Sequence, residues 1–263
     1  MPAVTLLEVE GVQTYYGESH VLEGVSLEVA EGEVVALVGR NGVGKTTTLR
    51  SVMQLTPPRE GSVRYRDEEL VGLSAHEVAG RGVGWIPEDR RVFSQLSVEE
   101  NVRVAAQAHG EHSATFWRNL AAYEEYTEEA HRVLERVGLT DRAHDPAGDL
   151  SHGAGRQLEV AIALAGDPDV LLLDEPNAGV SSESVGDIID LIEDVAEDHA
   201  VLLVEHNMDI VMEVSERVVV LNRGEVIADD DPAAVRDDPA VQEAYLGGYE
   251  PGDLDAADSG GIA

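Results

Sequence analysis

The chain has 263 residues with 52 acidic and 18 basic side chains, which gives a formal net charge of −34 at pH 7. This acidity disfavours nucleic-acid binding through a basic face, and the absence of cysteine excludes disulfides, thiol nucleophiles and cysteine metal sites. The hydrophobic share of 43% is enough to bury one sizeable core, or a core with a smaller satellite domain.

The N-terminal stretch MPAVTLLEVE has acids and no basic residue, so it does not resemble a secretory signal. No apolar run approaches the roughly 18 residues that cross a bilayer, and we therefore expect any membrane role to require a partner. Short apolar, β-branched runs alternate with helical patterns, which is typical of an α/β domain with a mostly parallel sheet. The predicted strands are 6–9, 25–29, 34–38, 83–86, 170–173, 201–204, 218–221 and 226–228.

Helical patterns fall between these strands. Ser74 and Ser97 each begin an S-x-x-E capping box. Apolar residues at helical spacing predict a helix from Tyr123 that Gly138 can end, and a second amphipathic helix over 185–195. No strand pattern appears between about Glu88 and Gly166, so this block is predicted to be a helical subdomain inserted into the α/β core.

The stretch GRNGVGKTTT at residues 39–48 fits G-x-x-x-x-G-K-[ST], a motif whose backbone N–H groups and helix N-terminus bind phosphate. It follows a predicted strand and precedes a helical pattern, as the motif requires. Lys45 supplies a compact charge for the β and γ phosphates, and the Thr46 hydroxyl would bind Mg²⁺. The alternative is a chance match in a glycine-rich turn. The candidate nucleotide-binding residues are Gly39, Asn41, Gly42, Gly44, Lys45, Thr46 and Thr47.

Lys45 is also the only lysine in the chain. Arginine cannot replace it at the phosphates because the guanidinium group is planar and bulkier. Near 1 M salt the Debye length is about 3 Å, so the self-repulsion of such an acidic chain is mostly screened. We therefore interpret the composition as adaptation to a salt-rich cytoplasm, as in a halophile. The alternative is an acidic protein with an acid-loving partner surface.

A second motif supports the first. The stretch VLLLDEP at 170–176 is an apolar strand that ends in two carboxylates, the form of a Walker B motif. Asp174 would bind Mg²⁺, directly or through water, and Glu175 would polarise the attacking water. Two adjacent acids at a strand end are unremarkable in so acidic a chain, and it is the pairing with the phosphate-binding motif that favours the catalytic interpretation.

Two further stretches decide among the classes of P-loop protein: LSHGAGRQLEVAIAL at 150–164 and VEHN at 204–207. With the preceding motifs, and in this order, they resemble the nucleotide-binding subunit of an ATP-binding-cassette (ABC) transporter over about residues 6–248. The resemblance implies an ATPase that uses ATP and Mg²⁺. A GTPase would need an N/T-K-x-D motif, which a chain with one lysine, already used, cannot supply.

The resemblance also implies the fold class. We expect an α/β fold, with a P-loop NTPase core of mostly parallel sheet and flanking helices, an antiparallel N-terminal β-subdomain and an inserted α-helical subdomain. The ABC ATPase domain would cover 1–248, with its core at 1–87 and 167–248 and the helical subdomain at about 88–166. The acidic, glycine-rich segment 249–263 is predicted to be a disordered tail.

Four further site residues are implied by the resemblance. Tyr16 in TYYG matches the aromatic residue that stacks on adenine, although alone it would be a turn or core tyrosine. Ser151 and Gly153 match signature residues that meet the γ-phosphate of ATP on the opposite subunit, with Ser151 capping the helix that follows. His206 matches the switch histidine at the γ-phosphate, although a lone histidine is usually an ordinary surface or packing residue.

The sequence departs from the family pattern at several motif positions. The signature LSGGQ is changed by His152 and Ala154, and Gly155 weakens the start of its helix. Glu88 in WIPEDRRVF stands where glutamine is expected, and we include it among the candidate metal ligands. Ser181 in NAGVS stands where aspartate is common. Metal coordination and communication between subunits are therefore expected to differ from the usual pattern.

Other stretches resemble the ATPase subunits of branched-chain amino acid importers, namely YYGESHVLEGVSLEV, PEDRRVFSQLSVEENV, DPAVQEAYLGG and EHNMDIVMEVSERVVVL. The resemblance implies uptake of branched-chain amino acids or a related small polar solute. The partners would be integral-membrane permease subunits, a second ATPase in a heterodimer or homodimer, and, indirectly, an extracellular solute-binding protein. It places the chain at the cytoplasmic face of the membrane, with the helical subdomain toward the permease.

Three alternatives stay open at this point. Urea and amide importers have very similar ATPases. A soluble, non-transport ABC ATPase is the rival from another class, but the paired cassettes of ribosomal types and the long coiled coils of DNA-repair types are absent from this sequence. A non-hydrolysing regulatory subunit is disfavoured by Glu175 and His206.

Overall fold

The computed structural model describes residues 4–109, 120–179 and 185–246. The predictions for the tail 249–263 and for Ser181 lie outside the described residues. The strands are β1 Thr5–Tyr16, β2 Ser19–Ala30, β3 Val34–Val38, β4 Glu60–Tyr65, β5 Glu68–Glu69, β6 Val83–Ile86, β7 Val170–Asp174, β8 Ala200–Val204, β9 Arg217–Asn222 and β10 Glu225–Asp230. The helices are α1 Lys45–Val52, α2 Ala75–Ala79, α3 Val98–His109, α4 Leu120–Arg136, α5 His152–Leu164, α6 Val185–Ala196, α7 Met208–Val214, α8 Pro232–Asp237 and α9 Pro239–Leu246.

The strands form two sheets. One has four strands in the order β2-β1-β4-β5, all paired antiparallel. The other has six strands in the order β10-β9-β3-β8-β7-β6, in which only the pair of β9 and β10 is antiparallel. This arrangement confirms the predicted fold class, a mostly parallel core sheet with an antiparallel N-terminal sheet.

All eight predicted strands are present, and β4 and β5 are additional. Sequence patterns missed these two because their residues are mainly charged or small, with no apolar run. β1 and β2 are also longer than predicted, at 12 residues each. The part of β1 beyond Val9 alternates more and less buried residues, as antiparallel strands with one solvated face do, and residues 19–24 of β2 include one buried residue, so both lack a continuous apolar signal.

The position of the site follows from the parallel sheet. Every residue of β3, β7 and β8 is buried, because helices or the second sheet cover both faces of these strands. Parallel strands end at the same edge of a sheet, and ligands bind outside that edge. The phosphate-binding loop follows β3, Glu88 follows β6, Glu175 follows β7 and His206 follows β8. The candidate residues are therefore brought to one edge of the sheet by the topology.

The helices α3, α4 and α5 pack on one another through Val102, Leu134 and Leu158, which are fully buried. In the described parts of 88–166, β pairing is limited to an isolated bridge between Ser97 and Pro146. That agrees with the predicted helical block, while its limits as a subdomain stay a prediction. Both capping boxes form, and Gly138 follows α4 with φ +71°. Among the described residues, no helix has the length and apolar character needed to cross a membrane.

Candidate functional site

A polar cleft of about 260 Å³ opens at the carboxyl edge of the core sheet. Eight residues line it: Asn41, Gly42, Gly44, Lys45, Thr46, Thr47, Glu88 and Glu175. Every one of these is a residue that the sequence analysis selected, although they come from three separate loops. The structure therefore brings the phosphate-binding loop, the Walker B carboxylate and the Glu88 loop into one site.

Lys45 is the cation of this cleft. Only 5% of its surface is exposed. Its ammonium group donates to the carbonyl oxygens of Gly39 at 2.9 Å and Arg40 at 3.4 Å. The same nitrogen lies 3.7 Å from a carboxylate oxygen of Glu175. The side chain is thus fixed by its own loop, and its charge faces the carboxylate of Glu175.

The shape of the loop suits an anion. A Cβ on Gly39 would lie 2.3 Å from the carbonyl oxygen of Leu221, so only glycine allows this close approach of backbone. Gly42 has φ +81°, and a Cβ there would meet no atom within 4 Å. That open space borders the cleft at the start of α1, where backbone N–H groups and the helix dipole attract phosphate. The loop therefore fits the phosphates of a nucleotide.

Oxygen atoms that could bind a metal ion lie beside the phosphate-binding loop. The hydroxyl of Thr46 donates to a carboxylate oxygen of Asp174 at 3.2 Å, and Glu88 lines the same cleft. This all-oxygen set suits Mg²⁺, which takes few protein ligands and completes its shell with water and phosphate. The described part of the chain contains no group of three or more acidic, histidine or cysteine side chains placed to bind a metal.

The carboxyl of Asp174 is almost fully buried. Burial, the largest cause, and the nearby charges of Glu175 and Glu88 together raise its pKa to about 6, while the hydrogen bond from Thr46 and the charge of Lys45 oppose the shift. Between the unfolded value near 4 and the folded value near 6, the folded chain binds more protons. Ionisation of Asp174 therefore costs folding stability as pH rises through this window.

We expect Asp174→Asn to be more stable than the parent at pH 8, by about 1–2 kcal/mol after allowance for screening. The gain should shrink toward pH 5, where the parent carboxyl is protonated. Denaturant unfolding in the presence of a chelator measures both values. Asp190→Asn, an exposed change of the same charge, should stay within about 0.5 kcal/mol of the parent. A destabilised Asp174→Asn at pH 8, or a gain that does not vary with pH, would contradict this account.

Glu175 and His206 face each other across the cleft mouth. The histidine Nδ1 lies 3.3 Å from a carboxylate oxygen of Glu175. Glu175 has φ +46°, a left-handed conformation that is costly for a residue with a side chain and occurs preferentially at functional sites. The two predicted catalytic residues are therefore in contact, with the carboxylate between Lys45 on one side and His206 on the other.

Glu205 is a site residue that sequence reasoning missed. It is fully buried, and its carboxylate accepts hydrogen bonds from the backbone N–H groups of His206 at 2.9 Å, Asn207 at 3.1 Å and Asn177 at 3.1 Å. It thereby joins the loop after β7 to the loop after β8. The available signal was an acid directly after a solidly apolar strand, next to the predicted histidine. A buried carboxylate there needs several donors, which only loops can supply.

Tyr16, Ser151 and Gly153 do not line the cleft. Tyr16 ends β1 with 44% of its surface exposed and accepts a hydrogen bond from Thr56 at 3.4 Å. Ser151 caps α5, as predicted, by accepting from the N–H of Ala154 at 3.3 Å. A Cβ on Gly153 would meet no atom within 4 Å. The start of α5 is therefore available to a ligand or to another chain.

Comparison with known proteins agrees with this geometry. A family model described as ABC transporter matches residues 22–178, and one described as Branched-chain amino acid ATP-binding cassette transporter matches 225–251. The high-affinity branched-chain amino acid transport ATP-binding proteins BraF of Pseudomonas aeruginosa and LivG of Escherichia coli are 37% and 34% identical to this chain. Each alignment covers 92% of this chain and 98% of the relative.

Solved structures agree as well. The ADP conformation of MJ1267, an ATP-binding cassette of an ABC transporter, superposes with a TM-score of 0.82 at 28% identity. The match covers 93% of this chain and 99% of that one. Sequence motifs, cleft geometry and both kinds of comparison converge on one assignment: the chain belongs to the ABC transporter family, as one of its ATP-binding subunits.

Proposed function

We propose that this chain is the ATP-hydrolysing subunit of an importer for branched-chain amino acids or a related small polar solute. The observation that carries the ATPase assignment is the contact chain from Lys45 through Glu175 to His206, at 3.7 and 3.3 Å. The solute class is supported by the names of BraF and LivG and by the match over residues 225–251.

The site residues have separate roles in ATP binding and hydrolysis. Lys45 and the loop N–H groups hold the β and γ phosphates, and the exposed ring of Tyr16 stacks on adenine. Glu175 accepts the proton of the attacking water, and His206 orients the γ-phosphate and that water. Mg²⁺, which Thr46, Asp174 and Glu88 would hold, supplies charge stabilisation at the phosphates when bound.

Two subunits complete each site. We infer that Ser151 and Gly153, which lie away from this chain's own cleft, meet ATP held by a second cassette, either a sister ATPase or another copy. ATP then binds the closed pair more tightly than the open one, and hydrolysis reopens it. This difference in affinity between the two arrangements is the free energy available to a transporter.

A second cavity supports a permease partner. It has a volume of about 260 Å³, lies between β6, α3 and α5, and has mostly apolar walls that include Trp85, Ala105 and Ile162. The indole N–H of Trp85 is buried there, and none of the described residues accepts a hydrogen bond from it. Pro87, directly before Glu88 of the ATP cleft, is part of the wall. We propose that a short cytoplasmic helix of the permease occupies this groove. A backbone or side-chain oxygen of that helix would accept a hydrogen bond from the indole N–H of Trp85.

Docking in this way would hold the chain at the cytoplasmic face of the membrane, with the solute-binding protein engaged only through the permease. The net charge of −34 further supports a salt-rich cytoplasm as the working environment. Assays of the chain therefore belong in molar salt.

The test is recovery of partners from detergent-solubilised native membranes with tagged protein in molar salt, followed by mass spectrometry. We expect a permease and a sister ATPase with the parent chain. Ala105→Glu should reduce recovery of the permease by about tenfold or more, because the longer, charged side chain would fill part of the groove and would lose water when a helix docks. Ala108→Glu is the matched control, since it is exposed on the same helix and outside the groove. Soluble complexes alone, or equal recovery with both variants, would contradict the proposal.

A further inference from the structure

Arg156 is the most deeply buried arginine of the described chain, with 5% of its surface exposed. It lies on α5, about one turn after the signature residues Ser151 and Gly153. Its guanidinium group donates to three backbone carbonyl groups: Pro176 at 3.1 Å, Pro87 at 3.0 Å and Glu175 at 3.1 Å. One side chain therefore contacts both loops that enter the ATP cleft from β6 and β7.

Glu159 completes this arrangement. It is also buried, and its carboxylate lies 3.1 Å from the Arg156 guanidinium. Its other oxygen accepts the backbone N–H of Arg91 at 2.9 Å, three residues after Glu88. The loop after β6 is thus bonded to α5 on both sides of Glu88. Arg156 bonds the residue before it, Pro87, and Glu159 bonds Arg91, three residues after it. A neutral packing residue could make neither set of bonds.

The same loop touches the start of α5 a third time. The guanidinium of Arg90 covers Gly155, where a Cβ would lie 2.8 Å from the Arg90 Cζ, and it donates to the carbonyl of Ala147 at 2.6 Å. Gly155, which weakens the helix, leaves room for this close approach of Arg90. The part of α5 from Gly155 to Glu159 is therefore held against the Glu88 loop by Arg90 and by the pair Arg156–Glu159, while Gly153 at its start stays uncovered.

We propose that Arg156, with Glu159, is a positioning residue that couples the two ATP sites of a dimer. Phosphate entering the cleft competes with the Glu175 carboxylate for the ammonium of Lys45, and so it displaces Glu175. Arg156 is bonded to the backbone carbonyl of that same residue. The displacement shifts α5 and with it Ser151 and Gly153, which contact the ATP bound to the second cassette. This inference rests on the proposed function, in which the signature residues act on a partner's nucleotide.

The first test follows hydrogen exchange of the full chain with and without ATP and Mg²⁺, in molar salt, for backbone amides of residues 151–158. Couplings between sites typically correspond to about 5- to 150-fold, so we expect ATP to slow exchange of these amides by about fivefold or more. Arg156→Gln should abolish this response. Arg156→Lys keeps the charge but cannot make three directed bonds, and should retain a response of less than about twofold.

Arg217→Lys is the matched control. Arg217 also bonds several partners, namely Glu33, Asp229 and the carbonyl of Glu28, but these lie on β2, β10 and the turn before β3, away from the ATP cleft. A loss of stability without a loss of coupling is expected for this variant. ATP binding and thermal unfolding are measured on the same samples, so that a variant that fails to fold is recognised and replaced by Glu159→Gln.

The second test uses the assembled pair of ATPases. Arg156→Lys should lower the maximal hydrolysis rate about tenfold or more, with a change in KM for ATP below about threefold, and bring the Hill coefficient close to 1. An ATP response of residues 151–158 that is the same in the parent and in both Arg156 variants would overturn the coupling and leave the ATPase assignment intact. A parent chain that binds no ATP would overturn the proposed function, and this inference with it.

Discussion

Lys45→Ala is expected to abolish ATP hydrolysis, with a fall in rate of at least about 100-fold, the scale seen when one fixed donor to developing charge is removed. The reason is local. Lys45 is the only lysine of the chain, and its ammonium is the one that the loop carbonyls of Gly39 and Arg40 fix inside the cleft. Without it, the repulsion among Glu175, Glu88 and the phosphates is no longer offset by a side-chain cation fixed within the loop.

Lys45→Arg sharpens this prediction, because it keeps the charge and changes only its shape. We expect it to be nearly as inactive as alanine, since the planar guanidinium does not fit where a compact ammonium is bonded to two carbonyl groups. Arg40→Ala is the control. It removes a cation from the same loop, but the side chain of Arg40 lines a different cavity. Phosphate release in molar salt, with the sister subunit present, is the measurement. Parent-like activity of Lys45→Ala would sink the assignment of the site.

Glu175→Gln is expected to bind ATP, to hydrolyse it about 1,000-fold more slowly, and to accumulate as a closed dimer. The amide cannot accept the water proton, yet it is isosteric, so the left-handed backbone at this position is no more strained than before. Removal of the negative charge also frees Lys45, 3.7 Å away, for the phosphates. Binding should therefore be as tight as in the parent or tighter.

Size-exclusion chromatography with ATP and the sister subunit distinguishes the outcomes. A dimer peak that persists with Glu175→Gln, and that decays with the parent, is the expected result. Glu197→Gln, an exposed change of equal charge, should behave as the parent does. Monomer under all conditions would show that the carboxylate does not control reopening.

The fold was predictable wherever a strand is buried on both faces. β3 and β8 are wholly apolar runs, β7 is apolar up to its last residue Asp174, and all three were located correctly, because their burial leaves no polar position inside the run to interrupt the pattern. β4 was not located, since two of its six residues are charged, two are small, and its pairing with β1 comes from tertiary contact. Local sequence therefore predicts the buried strands of the six-stranded sheet better than the strands of the four-stranded antiparallel sheet.

The site shows the same division. The cleft residues lie in contiguous motifs, and the spacing of these motifs predicted all of them except Glu88, which was selected from the family resemblance. Glu205 and Arg156 could not, because their roles depend on which backbone groups surround them. Glu205 bonds N–H groups from two loops, and Arg156 bonds carbonyl groups separated from it by up to 69 residues. A sequence identifies the groups that touch substrate more readily than those that hold the loops in place.

The burial of a lone lysine also gives the protein a built-in reporter. A lysine-specific protease has one possible cleavage site in this chain, after Lys45. With 5% of its surface exposed and its ammonium bonded to the loop, that peptide bond can be cut only when the phosphate-binding loop opens. The rate at which two fragments appear would thus measure loop opening without any label, and occupancy of the cleft by a nucleotide would be read directly as resistance to cleavage.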